Sequence, residues 1–308
     1  MRRVAAWFVA VLAALAAVAY LATTVATDRF AWMQMAWWVP RLPFALGCVL
    51  LACLAALLSR SRSRGRRAWS AVAALLVVCA ALDLDRDFGL PRERPAEGVR
   101  VVHWNTAWTS ESDSVDALAA LLALDAHVVV LSDAGHLFGD GGLARAEAAG
   151  YSYRARGRLS LLSRFPVAES RSLYAASGAS VSRFAVETDD GPLVIDAIDL
   201  PRDMRIGRFE QARQLALDLA GQGPAPDVLV GDFNSTRGSA SVALLLAGGI
   251  DAFEAAGSGW GGTYPRTGPL LAIDLMLVKP PWRAVWARMH DLGTRPHRAQ
   301  EAVLMRSK

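Results

Sequence analysis

The chain has 308 residues, more than the roughly 150 of a common domain, so an accessory region beside one large core is expected. Hydrophobic residues make up 53% and the mean hydropathy is +0.26, yet residues 100 to 308 alternate apolar and charged segments as a water-soluble domain does; the excess apolarity is N-terminal. A formal charge of +4 with its positive excess largely in one arginine-rich loop gives no compositional case for a nucleic-acid partner, and three cysteines, all in apolar runs, exclude a disulfide framework.

Residues 4 to 24 carry no charge and suffice to cross about 30 Å of hydrocarbon at roughly 20 residues per helix. Arg2 and Arg3 before this run, and small residues after it, also fit a cleaved signal peptide, but the further apolar runs that follow favour a transmembrane helix. A second span is expected over residues 37 to 59, interrupted near its start by Pro40 and Arg41, where an arginine can reach the interface. A third, shorter one covers residues 68 to 82 and is bounded by Asp83, Asp85 and Arg86. Cys48, Cys53 and Cys79 all fall inside these spans as apolar packing residues.

Arg2 and Arg3 precede the first span, and Arg60, Arg62, Arg64, Arg66 and Arg67 lie between the second and third, whereas the loop between the first two holds only Asp28 and Arg29. Basic loops stay cytoplasmic, so the reading is a multi-pass protein of the cell membrane with a cytoplasmic N-terminus and an extracytoplasmic domain after residue 87. The organisation expected is a membrane anchor over residues 1 to 87, a charged, proline-bearing linker over 88 to 98, and one domain over 99 to 308.

Beyond the linker, VRVVHWN, HVVVLSD, RLSLLS, SRFAVET, PLVIDAIDL, DVLVGDFN, AIDLMLV and RAVWARM read as strands. Residues 112 to 124 and 203 to 221 read as helices, the second burying Ile206, Phe209, Leu215 and Leu219 along one face. This mixture predicts a layered α/β (α+β) domain with strands buried on at least one face.

The richest segment is VLVGDFNS, where four apolar residues lead into glycine and then Asp232, Phe233 and Asn234. A carboxylate and a carboxamide emerge on one side at a strand's end, where the first can hold a hard cation or orient water and the second can hold a phosphate oxygen. The bland alternative is an ordinary polar turn. VVHWN ends in Asn105, HVVVLSD ends in Asp133, and Asp274 sits in an apolar strand, where a carboxylate is costly unless it meets a cation or donor. His297 lies in RPHRA near the C-terminus.

Taken in order, a strand-end asparagine, an acidic residue after the second strand, GDFN, T-Y-P followed by I-D, and a late His-Arg resemble the endonuclease/exonuclease/phosphatase family, across residues 99 to 306. The resemblance implies a two-sheet, four-layer sandwich of the deoxyribonuclease I type and a divalent metal, Mg²⁺ or Mn²⁺, at the mouth where strand ends converge. It implies Asn105, Asp133 and Asp274 on the metal side, Asp232 and Asn234 orienting water and phosphate, and His297 near the scissile phosphate, with in-line attack of water on phosphorus.

Three positions depart from that pattern. The usual Gln-Glu pair is Ser132-Asp133, the middle histidine is Asp199 in AIDLP, and the aspartate before the late histidine is Pro296. Arg202, Arg205 and Arg208 stand near Asp199 in sequence and could restore positive charge, as solvated helix-start residues also would stand; Arg298 is a further phosphate contact. Trp104 and Trp108 could form a lipid- or base-contacting rim or simply pack in the core. The departures leave room for a degenerate member that binds a phosphorylated ligand without efficient turnover, and a structural envelope protein is a third reading. A site tethered to a bilayer meets lipid headgroups and lipid-linked diphosphates at high effective concentration, so a phosphodiester or phosphoanhydride of a lipid or envelope precursor, such as a polyprenyl diphosphate, is the expected substrate. An extracellular nuclease is the alternative enzyme; the oligomeric state is left open.

Overall fold

The computed structural model describes residues 2–59, 63–107, 114–139, 141–203, 205–293 and 296–307. They separate into two compact units, Met1–Arg86 and Asp87–Lys308.

The first unit is helical: α1 (Arg2–Ala26), α2 (Ala31–Trp37), α3 (Arg41–Leu58) and α4 (Ser63–Asp87). Three stretches, Val4–Ala26, Arg41–Leu58 and Arg64–Asp87, are long and apolar enough to cross a membrane. Their contact is lined by Ala17, Ala45, Ala52, Ala73 and Ala80 with Cys48 and Leu76, small side chains that let helix backbones approach closely. Pro40, near the start of residues 37 to 59, is the N-cap of α3. One boundary differs from the sequence reading. The third helix does not stop at residue 82, because Asp83 is satisfied within the bundle: it accepts a 2.5 Å hydrogen bond from the Tyr20 hydroxyl and lies 3.6 Å from the Arg41 guanidinium. That guanidinium in turn stacks over the rings of Tyr20 and Trp37 and donates to the Thr23 hydroxyl at 2.8 Å.

The second unit begins with β1 (Phe88–Gly89), β2 (Val99–Asn105), α5 (Ser114–Leu122), β3 (Val128–Ser132), α6 (Gly142–Ala148), β4 (Ser152–Arg156), β5 (Leu159–Ser163) and β6 (Val167–Ser172). It continues through β7 (Ser180–Thr188), β8 (Gly191–Asp199), α7 (Arg208–Ala220), β9 (Val228–Asp232), α8 (Ala240–Leu246), β10 (Ile250–Asp251) and α9 (Ala252–Ala256). It ends with β11 (Gly259–Trp260), β12 (Asp274–Val278), β13 (Trp282–His290) and β14 (Ala299–Arg306). Two six-stranded sheets form, in the orders β13-β14-β2-β3-β5-β4 and β10-β12-β9-β8-β7-β6.

Strand alternation sorts the side chains into layers. Val101, Val128, Val130, Leu161, Ile195, Val228, Val230 and Met276 interdigitate between the sheets. Their neighbours Val102, Val129 and Leu131 face α5 and α6, while Ile198, Leu229, Leu275 and Leu277 face α7 and α8. The result is the helix-sheet-sheet-helix sandwich that the family resemblance implies. Among the described residues, six strands are absent from the sequence reading: the two-residue β1, β10 and β11, the polar β4 and β6 at the sheet edges, and β14, whose interior Gln300 and Glu301 disguise a central strand.

The segment 88 to 98, expected as a free linker, is held on the domain. Strand β1 pairs with β11, the Ser258 hydroxyl accepts from the Arg92 amide, Trp286 donates to the Arg92 carbonyl, and Arg94 is 3.0 Å from buried Glu301. Helix α7 starts at Arg208, five residues later than expected, so Ile206 lies outside it and is 39% exposed; Arg208, Gln211, Ala212 and Leu215 are its buried residues.

What positions the site is the meeting of two parallel pairs. β2 runs parallel to β3 in one sheet and β8 runs parallel to β9 in the other, and antiparallel β12 begins where β9 ends. Five strand termini therefore deliver Asn105, Ser132-Asp133, Asp199, Asp232 and Asp274 to one end of the sandwich.

Candidate active site

Asp232 is flanked on both sides by carboxylates: the register sets it opposite Asp274 on β12 and opposite Asp199 on β8. All three are buried. Gly231 makes this possible, since a Cβ there would sit 1.8 Å from the Ile198 carbonyl oxygen of β8. Past the strand, Asn234 turns through a positive φ of 44° so that its own amide donates to Asp232 Oδ1 at 2.8 Å, and its side-chain amide donates to the Leu200 carbonyl at 2.7 Å. Asparagine tolerates that left-handed conformation better than most residues. Across the interface between the sheets, Asn105 donates from Nδ2 to Asp232 Oδ2 at 2.9 Å, while its Oδ1 accepts the Ala107 amide. Asp232, Asn234 and Asn105 thus form one bonded group.

His297 completes the cluster. Its Nδ1 lies 2.8 Å from Asp274 Oδ2, its backbone carbonyl accepts from the Trp104 indole, and its ring packs 5.0 Å from that of Tyr264. Asp274 also receives its backbone setting from the Thr263 hydroxyl, which accepts the Ile273 and Asp274 amides. Pro296 has no side-chain acceptor to orient the imidazole; Asp274, on β12, orients the ring instead. Trp104 is a fully buried core residue. Trp108 lies outside the described residues.

The electrostatics follow from this crowding. Burial and the like charges of Asp274 and Asp199 raise the carboxyl of Asp232 above its ordinary range. Burial likewise pushes Asp199 up to about 6, with Arg158 pulling the other way. Burial opposes a charged His297, but the Asp274 ion pair and the neighbouring Asp232 and Asp199 outweigh it and push the imidazole up to about 9. Asp274 is also penalised by burial, yet His297 holds it below its ordinary value. Its Oδ1 is buried without a hydrogen-bond partner.

Asp133 is placed at the mouth but not as a free ligand. It has a φ of 55° just past β3, and its carboxylate takes both hydrogen bonds of the Arg158 guanidinium, at 2.7 and 2.5 Å. The group with metal-ligand spacing is Asp232, Asp274 and His297, whose ligand atoms lie within 4.8 Å of one another. Two carboxylates and an imidazole, with one orphaned buried oxygen on Asp274, suit a divalent cation better than they suit each other. Of the residues that the resemblance puts on the metal side, Asp274 is in this group, Asp133 is bound by Arg158, and the Oδ1 of Asn105 accepts the Ala107 amide.

The nominated arginines do not converge on Asp199. Arg202 is exposed, Arg205 pairs with Asp203 at the surface, and Arg208 is buried against Pro201 and Gln211. Arg298 donates to the Arg266 carbonyl. The cation beside Asp199 is Arg158, at 3.3 Å from the tip of the β4–β5 hairpin. No motif in the sequence marks it; only the register across β3 and β5 does. His103 lies on the same face of β2 as Asn105, as strand alternation requires. It is fully buried, 4.0 Å from Asp274 Oδ1 and 3.4 Å from the Ser132 hydroxyl, and burial lowers it to about 4, so it is a neutral wall of the cluster.

Comparison with known proteins gives a consistent picture. The sequence profile described as "Endonuclease/Exonuclease/phosphatase family" matches residues 102–295. Among curated proteins no sequence matches. Among solved structures, the mannosyl-6-phosphatase Bt3783 of Bacteroides thetaiotaomicron is similar at 14% identity and a TM-score of 0.54, covering 67% of this chain and 99% of that one. A D. rerio TDP2 humanized by 14 mutations is similar at 17% identity and a TM-score of 0.52, covering 67% and 98%. A functionally unknown protein of Enterococcus faecalis is similar at 16% identity and 0.52, covering 68% and 100%. At these identities the structures speak for the fold alone.

Proposed function

Because the chain belongs to the endonuclease/exonuclease/phosphatase family, we propose that it is a membrane-anchored, divalent-metal-dependent phosphoesterase whose substrate is a phosphodiester or phosphoanhydride of a lipid or envelope precursor. The observation that carries the hydrolase reading is the convergence of Asp199, Asp232, Asp274 and His297, from three strands and a late loop, on one buried cluster with unsatisfied carboxylate oxygens. A scaffold has no need of such a cluster, since buried unpaired charge costs several kcal/mol.

The residues divide the work. His297, protonated at neutral pH and held through Nδ1 by Asp274, presents its remaining ring nitrogen as a donor to a phosphoryl or leaving-group oxygen. Asp232, with its raised proton affinity, orients the attacking water and accepts its proton. Asn105 and Asn234 fix Asp232, so the base does not have to find its orientation during the reaction. Asp274, through its unpartnered Oδ1, and Asp232 are the carboxylates that would hold Mg²⁺ or Mn²⁺; the ion would supply Lewis-acid polarisation of a phosphoryl oxygen.

Membrane attachment rests on the three apolar helices, and the arginine distribution around them favours an extracytoplasmic catalytic unit. That location favours a lipid phosphate or lipid-linked diphosphate such as a polyprenyl diphosphate over nucleic acid. The test is an assay of the purified full chain with Mg²⁺ or Mn²⁺ against lipid diphosphates, phosphodiesters and DNA, beside Asp232→Ala. Cleavage of a lipid substrate that is lost in the variant supports the reading, and preferential cleavage of DNA would replace it with a nuclease. If nothing is turned over and no divalent ion binds, the chain is a phosphoryl-ligand binder, a reading favoured by one observation, the engagement of Asp133 by Arg158. A reporter fused after Lys308 checks the sidedness.

A further inference from the structure

The mouth of the cluster holds a cation of its own. Arg158 sits with Gly157 in the two-residue turn joining Arg156 to Leu159, and Gly157 adopts the positive φ of 62° that this turn requires. The register between β3 and β5 brings that turn against Asp133, whose amide donates to the Arg158 carbonyl at 2.8 Å. The guanidinium then spans the two sheets: it binds Asp133 of one with two hydrogen bonds and lies 3.3 Å from Asp199 of the other.

The two halves of this bridge are unequal. The Asp133 pair is bidentate, whereas Oδ2 of Asp199, a side chain only 7% exposed, has no hydrogen bond despite the nearby charge. The arginine itself is 60% exposed, and a cavity lined by Asp133, Gly135, Tyr153, Gly157 and Ser160 lies beside it. The bidentate geometry favours its place on Asp133, and its exposed side leaves room for the guanidinium to move. Among the described residues, the four carboxylates Asp133, Asp199, Asp232 and Asp274 face Arg158 and His297 as cations. The deficit is what a divalent ion would fill.

We propose that Arg158 is the resident, exchangeable counter-ion of Asp133 and Asp199: it competes with a divalent cation for these carboxylates and, once displaced, binds the phosphoryl oxygens of the incoming anion. The second half rests on the phosphoester reading above; the first does not. A guanidinium matches either role, since its planar fork pairs two-pronged with carboxylate and with phosphate alike.

The experiment is titration calorimetry on the full chain in detergent, with Mn²⁺ alone and then with inorganic phosphate added to the Mn²⁺-loaded protein, for wild type, Arg158→Met and Arg158→Lys. Removing a positive charge a few ångströms from a cation's position should tighten Mn²⁺ binding by about tenfold in Arg158→Met. Phosphate binding should weaken at least fivefold, and Arg158→Lys should fall between on both. Arg158→Lys keeps the charge beside buried Asp199 and so controls for any loss of stability in Arg158→Met. Unchanged or weaker Mn²⁺ affinity in Arg158→Met overturns the counter-ion role, and unchanged phosphate affinity overturns the transfer to substrate. Neither readout needs turnover, so a chain that behaves as expected here and hydrolyses nothing would defeat the hydrolase reading and leave this one standing.

Discussion

Asp274 and His297 are separated by 23 residues and by the whole β13 strand, yet Oδ2 of one lies 2.8 Å from Nδ1 of the other inside the protein. The contact fixes both the orientation and the charge of the imidazole. Asp274→Asn keeps the shape and removes the charge, so the His297 imidazole should fall from about 9 toward the ordinary histidine value. Hydrolysis at neutral pH should drop by about 10² to 10⁴. Histidine NMR titration alongside the assay checks both; a lost rate with an unmoved imidazole would assign Asp274 a different task.

The same contact sets a pH dependence of stability in the metal-free protein. His297 has a raised proton affinity in the folded state, so its contribution is fully present below the unfolded value near 6.5 and is lost as pH rises through about 9. The span corresponds to about 3 kcal/mol at most. Asp199 acts in the same direction at lower pH, because a carboxyl pushed up to about 6 loses stability as pH rises from its unfolded value through 6. In EDTA the second unit should therefore melt highest near pH 4 and lose stability steadily to pH 10. Mn²⁺ should flatten the curve above pH 7. A metal-free melting temperature that rises between pH 6 and 9 contradicts this account.

Asp199 gives a cleaner single substitution. Its ionised form is buried, with one oxygen unpartnered, so Asp199→Asn should raise the metal-free melting temperature at pH 8, where the wild-type group is charged, by an amount equivalent to about 1–2 kcal/mol. At pH 3, where the carboxyl is protonated in the folded and the unfolded chain alike, the two proteins should melt together. A pH-independent gain would mean that shape, rather than charge, is relieved.

Much of this was legible in the sequence because the site residues end strands. Runs such as VVHWN and VLVGD carry their own polarity switch, from buried valines to a terminal polar group, and the layered fold follows from the same alternation. What linear reading cannot supply is register. That Asp232 lies between Asp199 and Asp274 depends on which strands are neighbours, and that Arg158 reaches Asp133 depends on how β3 and β5 are aligned. The period of two was available for His103 and would have set it beside Asn105. Strands β4 and β6 were hidden for another reason: edge strands face solvent, so SYRAR and VAESRS carry no apolar face to read.

The helical unit poses its own test at Asp83. Its carboxylate accepts from Tyr20, lies 3.6 Å from Arg41 and ties α4 to α1 and α3, while Arg41 has its stacking partners Tyr20 and Trp37 and its hydrogen bond to Thr23. Removing the acid leaves a buried guanidinium without its counter-charge, and breaking one side of such a pair costs about 3–5 kcal/mol. Asp83→Ala should therefore loosen the bundle markedly, whereas Asp83→Ala combined with Arg41→Leu should recover much of the loss, because an apolar pair leaves no charge unpaired. Unfolding of the full chain in detergent, followed by the fluorescence of its tryptophans and scored separately from activity, distinguishes the two. Equal destabilisation in the single and double variants would mean that Asp83 acts through Tyr20 and Arg86 and that Arg41 is no part of the clamp.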